Sequence, residues 1–60
     1  MTLEQFRAKV ETFLRKSGEK PSTFGRRALS DPSWVKRLRG GLEPKESTRT
    51  KVLDAIRGIK

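Results

Sequence analysis

Helix-breaking residues at three places constrain this chain more than any other feature of its sequence. Clusters containing Gly or Pro occur at residues 17–21, 30–32 and 40–44, and they divide the 60 residues into four short pieces. Within these pieces apolar residues recur at spacings of three and four, and no stretch alternates apolar and polar residues for long enough to indicate a strand. The pattern predicts an all-α fold, a small four-helix domain that residues 1–60 form as a single unit.

The first two helices have recognisable beginnings. Helix 1 is predicted over residues 3–17, because Thr2 and Gln5 have the spacing of a capping box and Gly18 can end the helix in the left-handed conformation. Helix 2 is expected to begin with Ser22 as its N-cap, since serine hydroxyls accept bonds from free N–H groups at helix starts. Both helices are therefore defined by local interactions.

The third helix has sequence signals at both ends, whereas the start of the fourth helix is less clearly defined. Helix 3 is expected over residues 32–39, with Asp31 as its N-cap and Gly40 as a left-handed C′ residue. Helix 4 is expected to begin between residues 45 and 48 and to fray near Gly58. These bounds leave a loop between the third and fourth helices.

The chain contains no Cys and no His, so packing alone must stabilise its fold. Disulfides, thiolate or imidazole metal ligands and the usual general base near neutral pH are excluded. Trp34 is interpreted either as packing in or beside the core or as a contact to DNA or a partner. Ile56 and Ile59 are interpreted as core residues or as a dimer patch. The predicted core comprises Phe6, Val10, Phe13, Phe24, Val35, Leu38, Val52 and Ile56.

Positive charge is concentrated in the middle of the chain. The formal net charge is +8, and residues 20–51 supply +6 of it, from nine basic and three acidic side chains. Such an excess points to a polyanionic partner, and nucleic acid is the first candidate. The longest apolar run is two residues, which predicts no transmembrane segment and no signal-peptide core. We therefore expect a cytoplasmic, nucleoid-associated protein.

Helices 2 and 3 have the spacing of a helix-turn-helix, predicted at about residues 22–39. The two helices are short, the second is basic, and only two or three residues are expected between them. A motif of this kind needs a small residue where the helices cross, apolar anchors and an N-cap. Gly25, Ala28, Asp31, Val35 and Leu38 meet these needs in order. Since Gly lowers helix stability, Gly25 predicts another group pressed against it.

Four short segments make the chain similar to a known family, namely Thr23-Phe24-Gly25, Asp31-Pro32, Trp34-Val35 and Leu38-Arg39-Gly40-Gly41. Over about residues 20–57 it resembles the lambda-repressor-like helix-turn-helix family, which includes phage repressor and Cro-like regulators. One difference lies in the turn, where the family has Gly followed by an apolar residue and this chain has Leu29 followed by Ser30. Either Ser30 adopts the turn geometry or Leu29 rotates into the core.

The resemblance implies that helix 3 enters the major groove of DNA. Arg37 is then the best base reader, because a guanidinium can bond O6 and N7 of one guanine together. The implied base contacts are Pro32, Ser33, Lys36 and Arg37. The implied phosphate contacts are Ser22, Thr23, Arg26, Arg27, Arg39, Gly40, Lys45, Thr48 and Arg49.

The function expected from these features is sequence-specific binding of double-stranded DNA by a transcriptional regulator of the repressor or Cro-like type. No catalytic residue, metal, cofactor, small-molecule substrate or membrane partner is expected. A homodimer, formed in solution or only on DNA, stays open. The alternative is a protein-interaction module, such as an antitoxin or accessory factor on the same scaffold. RNA binding fits less well, because the sequence predicts no sheet and no spare aromatic side chains for stacking on bases. The basic residues alone would also be compatible with a solvated charged face that has no partner.

Overall fold

Four α-helices account for all the regular secondary structure in the computed structural model, which describes residues 1–58. They are α1 (Leu3–Ser17), α2 (Pro21–Leu29), α3 (Trp34–Arg39) and α4 (Glu46–Arg57). The all-α class and the number of helices are confirmed. The bounds of α1 and the start of α4 are also confirmed, whereas α3 begins two residues later than expected.

α1 is capped at both ends as its sequence predicts. Thr2 Oγ1 accepts a hydrogen bond from the Gln5 N–H at 3.1 Å, and Gln5 Oε1 accepts one from the Thr2 N–H at 2.9 Å. At the other end Gly18 adopts φ 72° and donates its N–H to the Leu14 carbonyl. These bonds satisfy backbone groups that a helix end leaves without partners.

α2 begins one residue before the predicted N-cap. Pro21 is its first helical residue and Lys20 is the N-cap, so the prediction that Ser22 caps this helix is wrong. Proline suits the first helical position because its φ is already helical and its missing N–H would have had no intrahelical partner. Ser22 therefore lies within the first turn of α2.

The end of α3 differs by one residue from the prediction. Gly40 has φ −82° and is not left-handed, whereas Gly41 has φ 112°. The Gly41 N–H bonds to the Leu38 carbonyl and the Leu42 N–H to the Arg37 carbonyl, at 3.2 and 2.9 Å. This pair of bonds is a Schellman motif, in which the left-handed residue is Gly41. The prediction for Gly40 is wrong because the chain reverses one residue later.

The core lies where all four helices meet. α2 packs against α3 and α4, and α1 packs against α4. Six of the eight predicted core residues are buried, while Phe13 and Ile56 are partly buried against the core. Leu14 and Trp34 complete it. Trp34 is only 3% exposed, and its ring meets that of Phe6 edge-on with centroids 6.2 Å apart. The buried set is Phe6, Val10, Leu14, Phe24, Trp34, Val35, Leu38 and Val52.

The predictions for Ile59 and for membrane-spanning segments depend on which residues the structure describes. Ile59, assigned by its sequence spacing to the core or to a dimer patch, lies outside the described residues. Within residues 1–58, no helix combines the length and apolar character needed to cross a membrane.

Candidate nucleic-acid interface

The connection between α2 and α3 is a tight turn of four residues, so the prediction of two or three residues is wrong because α3 begins later than expected. Ser30 takes the left-handed conformation with φ 56°, so Ser30 is the residue that adapts to the turn. The Asp31 N–H donates to the Gly25 carbonyl at 3.1 Å. A β-carbon placed on Gly25 would lie 2.3 Å from the Asp31 carbonyl oxygen. The predicted close approach at Gly25 is confirmed, and the approaching group is backbone.

Asp31 satisfies a backbone group before α3 begins. Its Oδ1 accepts a hydrogen bond from the Ser33 N–H at 3.0 Å, and its carbonyl accepts one from the Trp34 N–H at 3.2 Å. The prediction that Asp31 is the N-cap residue itself is wrong, because Ser33 occupies that position. Pro32 and Ser33 form a turn ahead of the helix, which leaves α3 only six residues long.

One groove lies between the start of α2 and the start of α3 and has a volume of about 440 Å³. Lys20, Pro21 and Ser22 line it from the side of α2. The first N–H groups of a helix have no intrahelical partners, so this wall combines free donors with cationic and hydroxyl side chains. Five of the predicted contact residues line the groove: Ser22, Pro32, Ser33, Lys36 and Arg39.

A second groove lies between α3 and the start of α4, with a volume of about 460 Å³. Three predicted contact residues, Arg37, Lys45 and Thr48, line it together with Lys51. Its lining also includes carboxylates, so it is less uniformly basic than the first groove. The two grooves share no residue, and each is bounded on one side by α3.

The remaining predicted contacts lie outside both grooves. Thr23 and Arg26 are exposed on α2, and Gly40 is exposed at the end of α3. Arg27 and Arg49 also lie elsewhere, and both have intramolecular partners. The structure thus separates the predicted contact set into two grooves and a scattered remainder.

Arg27 joins three parts of the fold. Its guanidinium donates to both carboxylate oxygens of Glu19, at 3.0 and 2.9 Å, and to the Ala55 carbonyl at 3.5 Å. The same group lies 5.4 Å from the ring centroid of Phe24 and 6.0 Å from that of Phe13. The hydrogen bonds to Glu19 raise the pKa of Arg27 above its ordinary value. These contacts give Arg27 a role in packing.

Arg49 connects α4 to the beginning of the chain. Its Nη1 donates to the Met1 carbonyl at 3.1 Å, and its guanidinium lies 5.5 Å from the ring centroid of Phe6. A cation near an aromatic face is attracted by the negative potential of the ring. Arg49 is therefore engaged by α1 and its N-terminal residue.

Arg39 is paired with α1 although it also lines the first groove. Its Nε and Nη2 bind the two carboxylate oxygens of Glu11, at 2.7 and 2.9 Å, in the fork geometry favoured by guanidinium groups. These bonds lower the pKa of Glu11 below its ordinary value of 4.5 and raise the pKa of Arg39. Contact between Arg39 and a phosphate would have to compete with Glu11.

Acidification is expected to remove the stabilisation that the Glu11–Arg39 pair provides. Because folding lowers the pKa of Glu11, the stabilisation is complete above the ordinary pKa and is lost as the pH falls through the lowered folded-state value. Both side chains are about half exposed, so the expected contribution is at most ~1 kcal/mol. Urea unfolding should find Glu11→Gln less stable than wild type at neutral pH, with the difference shrinking as the pH falls below the ordinary carboxyl pKa of 4.5.

The matched control for this experiment is Glu43→Gln. Glu43 lies in the loop before α4, and the described residues show no ion pair for it. Its replacement should leave the free energy of unfolding within about 0.5 kcal/mol of wild type at neutral pH. A stability difference for Glu11→Gln that does not shrink at any pH below 4.5 would contradict the assigned pair.

Two cationic residues that line the grooves are absent from the sequence-based set. Lys20 lines the first groove because it is the N-cap of α2, a position that the sequence pattern assigns to Ser22. Lys51 lines the second groove because it lies three residues after Thr48, on the same side of α4. The helical spacing from Thr48 is the sequence feature that could have identified Lys51.

The described residues offer this region no metal-binding group. Among residues 1–58 no cluster of three or more acidic, His or Cys side chains is arranged to hold a metal ion. Both grooves contain cationic side chains and hydroxyls, which bind anions such as phosphates, and the second groove also contains the carboxylates of Asp31 and Glu43. Comparison of the chain with protein-family models, with curated proteins and with solved structures finds no significant match.

Proposed function

We propose that this protein binds double-stranded DNA sequence-specifically and acts as a transcriptional regulator of the repressor or Cro-like type. In this proposal α2, the four-residue turn and α3 work as a helix-turn-helix, and α3 lies in the major groove. The proposal assigns no catalytic residue, metal or cofactor to the chain.

The observation that carries the proposal is the first groove. It brings Ser22 of α2 together with Pro32, Ser33, Lys36 and Arg39 of the turn and α3 on one surface. That surface includes the start of α2, where free N–H groups and the positive end of the helix dipole favour phosphate. A DNA backbone passing the start of α2 would bring base edges to the turn and first residues of α3.

The second groove supports the same orientation. It lies on the α4 side of α3 and carries Arg37, Lys45 and Lys51. The major groove of B-DNA is bordered by a phosphate backbone on each side, and it is about 12 Å wide. Basic grooves on two sides of α3 suit a helix placed between the two backbones.

The intramolecular partners of three arginines reduce the number of residues that are available to bind phosphate. Arg27, Arg39 and Arg49 are each engaged within the protein. We therefore assign the electrostatic contacts mainly to the exposed cationic side chains Lys20, Arg26, Lys36, Lys45 and Lys51.

DNA binding should depend steeply on salt concentration. About five phosphate contacts give a log–log slope of roughly −4 to −5, or a ~250–1,000-fold loss of affinity between 50 and 200 mM salt. The measurement is fluorescence anisotropy with duplexes that the wild-type protein selects from a random pool. Affinity that is independent of salt would contradict the proposed electrostatic interface.

Two lysine variants, measured in the same salt titration, test which surface of the protein contacts the DNA phosphates. Lys36→Ala should reduce the salt slope by about one unit, because Lys36 lies in the first groove. Lys16→Ala removes the same charge from the end of α1, outside both basic grooves, and should leave the slope unchanged. Equal slopes for the two variants would contradict the assigned surface.

The alternative function, a protein-interaction module, would use a different surface. A third groove of about 760 Å³ runs along α1 and includes Met1, Ala8, Phe13 and Ile56 in its lining. Its apolar character suits a partner helix better than it suits DNA. Failure of the wild-type protein to enrich any duplex from the random pool would favour this alternative. An enriched palindrome would instead indicate a dimer on DNA, with half-sites about one helical turn apart.

A further inference from the structure

Asp31 is fixed in place by three hydrogen bonds. Its N–H donates to the Gly25 carbonyl, its own carbonyl accepts from the Trp34 N–H, and its Oδ1 accepts from the Ser33 N–H. The Asp31 carbonyl also lies directly against Gly25, where no β-carbon would fit. Backbone and side chain are thus both anchored, and the direction of the carboxylate is set by the turn.

The other carboxylate oxygen of Asp31 pairs with Arg37. The contact joins Asp31 Oδ2 to Arg37 Nη2 across six residues of sequence. The Arg37 side chain stays 56% exposed, compared with 31% for Asp31. A guanidinium has five N–H donors, so this contact leaves most of them available.

We propose that Asp31 is a positioning residue that orients the Arg37 guanidinium for bidentate hydrogen bonding to one guanine. The inference rests on the proposed DNA-binding function. A long, exposed arginine beside DNA can bind a phosphate as readily as a base, and only the base contact carries sequence information. A carboxylate that is itself held by the Ser33 N–H limits the orientations of Arg37 and lowers the entropy lost on binding.

The same arrangement accounts for an acidic side chain immediately before the helix proposed to enter DNA. A lone carboxylate at the start of α3 would repel the DNA backbone. The positive charge of Arg37 balances the charge of Asp31 at short range. The carboxylate therefore attracts the guanidinium of Arg37 more than it repels the DNA backbone. Asp31 thereby determines specificity through Arg37 without touching DNA itself.

Asp31→Asn tests the proposal, because an amide keeps the oxygen that accepts the Ser33 N–H and loses the charge that holds Arg37. The probes are the duplexes that wild type selects from a random pool and their single-base variants. Arg37→Ala should abolish discrimination at one guanine, which is worth roughly 5–150-fold for a bidentate contact. Asp31→Asn should reduce discrimination at that same guanine by about fivefold or more.

Asp54→Asn is the matched control, since it makes the same chemical change on α4, outside both basic grooves. It should leave discrimination at every base unchanged, although the loss of a negative charge can strengthen binding to all duplexes alike. In the double variant Asp31→Asn, Arg37→Ala, discrimination should equal that of Arg37→Ala alone. Such non-additivity is expected of a residue that acts through its partner.

The possible outcomes distinguish a failure of the positioning role of Asp31 from a failure of the proposed DNA binding. Undiminished discrimination by Asp31→Asn, or an equal effect of Arg37→Ala on all duplexes, would overturn the positioning role and leave DNA binding standing. A wild-type protein that enriches no duplex would overturn both proposals.

A measurement on the wild-type protein covers the case in which Asp31→Asn fails to fold. Nuclear magnetic resonance can compare side-chain N–H exchange of Arg37 with that of Arg26, for which the described residues show no ion pair. Slower exchange at Arg37 is expected. Equally fast exchange at both arginines would contradict the orienting contact.

Discussion

Gly25→Ala is expected to destabilise the protein by about 3 kcal/mol or more, a large part of what a single small core supplies. The added β-carbon would lie 2.3 Å from the Asp31 carbonyl oxygen, and that atom belongs to backbone. A flexible side chain could move aside, but this carbonyl also accepts the Trp34 N–H, and the Asp31 N–H is bonded to Gly25 itself. Alanine would therefore force α2 and α3 apart.

Helix propensity acts in the opposite direction at this position. Alanine is about 1 kcal/mol more favourable than glycine within a helix, so propensity alone predicts that the substitution stabilises α2. The steric term is larger, because the clash is with fixed backbone on a neighbouring segment. The sign of the stability change consequently decides which effect dominates.

Thermal unfolding followed by circular dichroism measures this effect. A loss of 3 kcal/mol corresponds to a fall in Tm of roughly 12–24 °C for a domain of this size. The control is Gly40→Ala, where φ is −82° and the closest atom to a new β-carbon is 3.5 Å away, an ordinary contact. Gly40→Ala should leave Tm within a few degrees of wild type. Equal Tm values for the two variants would contradict the close approach at Gly25.

Trp34→Ala is expected to lower the free energy of unfolding by about 3–5 kcal/mol, the usual range for removal of a buried large aromatic side chain. Trp34 is 3% exposed and contacts the ring of Phe6 edge-on, so it connects α3 to α1. α3 has only six residues, too few to be stable as an isolated helix. Loss of this contact should therefore separate α3 from the core and abolish DNA binding as well.

Trp34→Phe separates packing from direct recognition. Phenylalanine keeps an aromatic ring against Phe6 and is expected to retain more than half of the stability that alanine loses. Urea unfolding by circular dichroism gives the stabilities, and anisotropy with the selected duplexes gives the affinities. If Trp34→Ala were fully stable and yet lost DNA affinity, Trp34 would be a contact residue and the packing assignment would be wrong.

The sequence was sufficient to predict elements whose determinants are local. Thr2 and Gln5 are three residues apart, and their side chains and backbones complete the capping box without help from the rest of the fold. The glycine after α1 behaves in the same way. Apolar spacing identified six of the eight buried core residues, because a helical period fixes which side chains share a face.

Boundaries were less predictable where two residues compete for one role. Pro21 and Ser22 both favour a helix start, and the fixed φ of proline prevailed over the hydroxyl of serine. Gly40 and Gly41 both permit a left-handed residue, and the choice depended on where Leu42 meets the core. Adjacent residues with similar propensities leave such choices to tertiary packing.

The candidate interface was predictable in its location and less so in its members. Charge and helix-turn-helix spacing indicated the region around α3, but sequence could not show which arginines are already engaged. Arg27, Arg39 and Arg49 have partners 8, 28 and 48 residues away, respectively. Pairings across such separations follow from the packing of helices, which no local pattern encodes.

The position of Trp34 gives the protein an intrinsic optical reporter. It is the only tryptophan in the chain, and it lies within α3 against the ring of Phe6. Its emission therefore originates from the helix proposed to enter DNA and is sensitive to the polarity around that one side chain. Movement of α3 away from α1 would be visible in the spectrum of the unlabelled protein, whereas contacts made by exposed cationic side chains alone would leave the indole in the same surroundings.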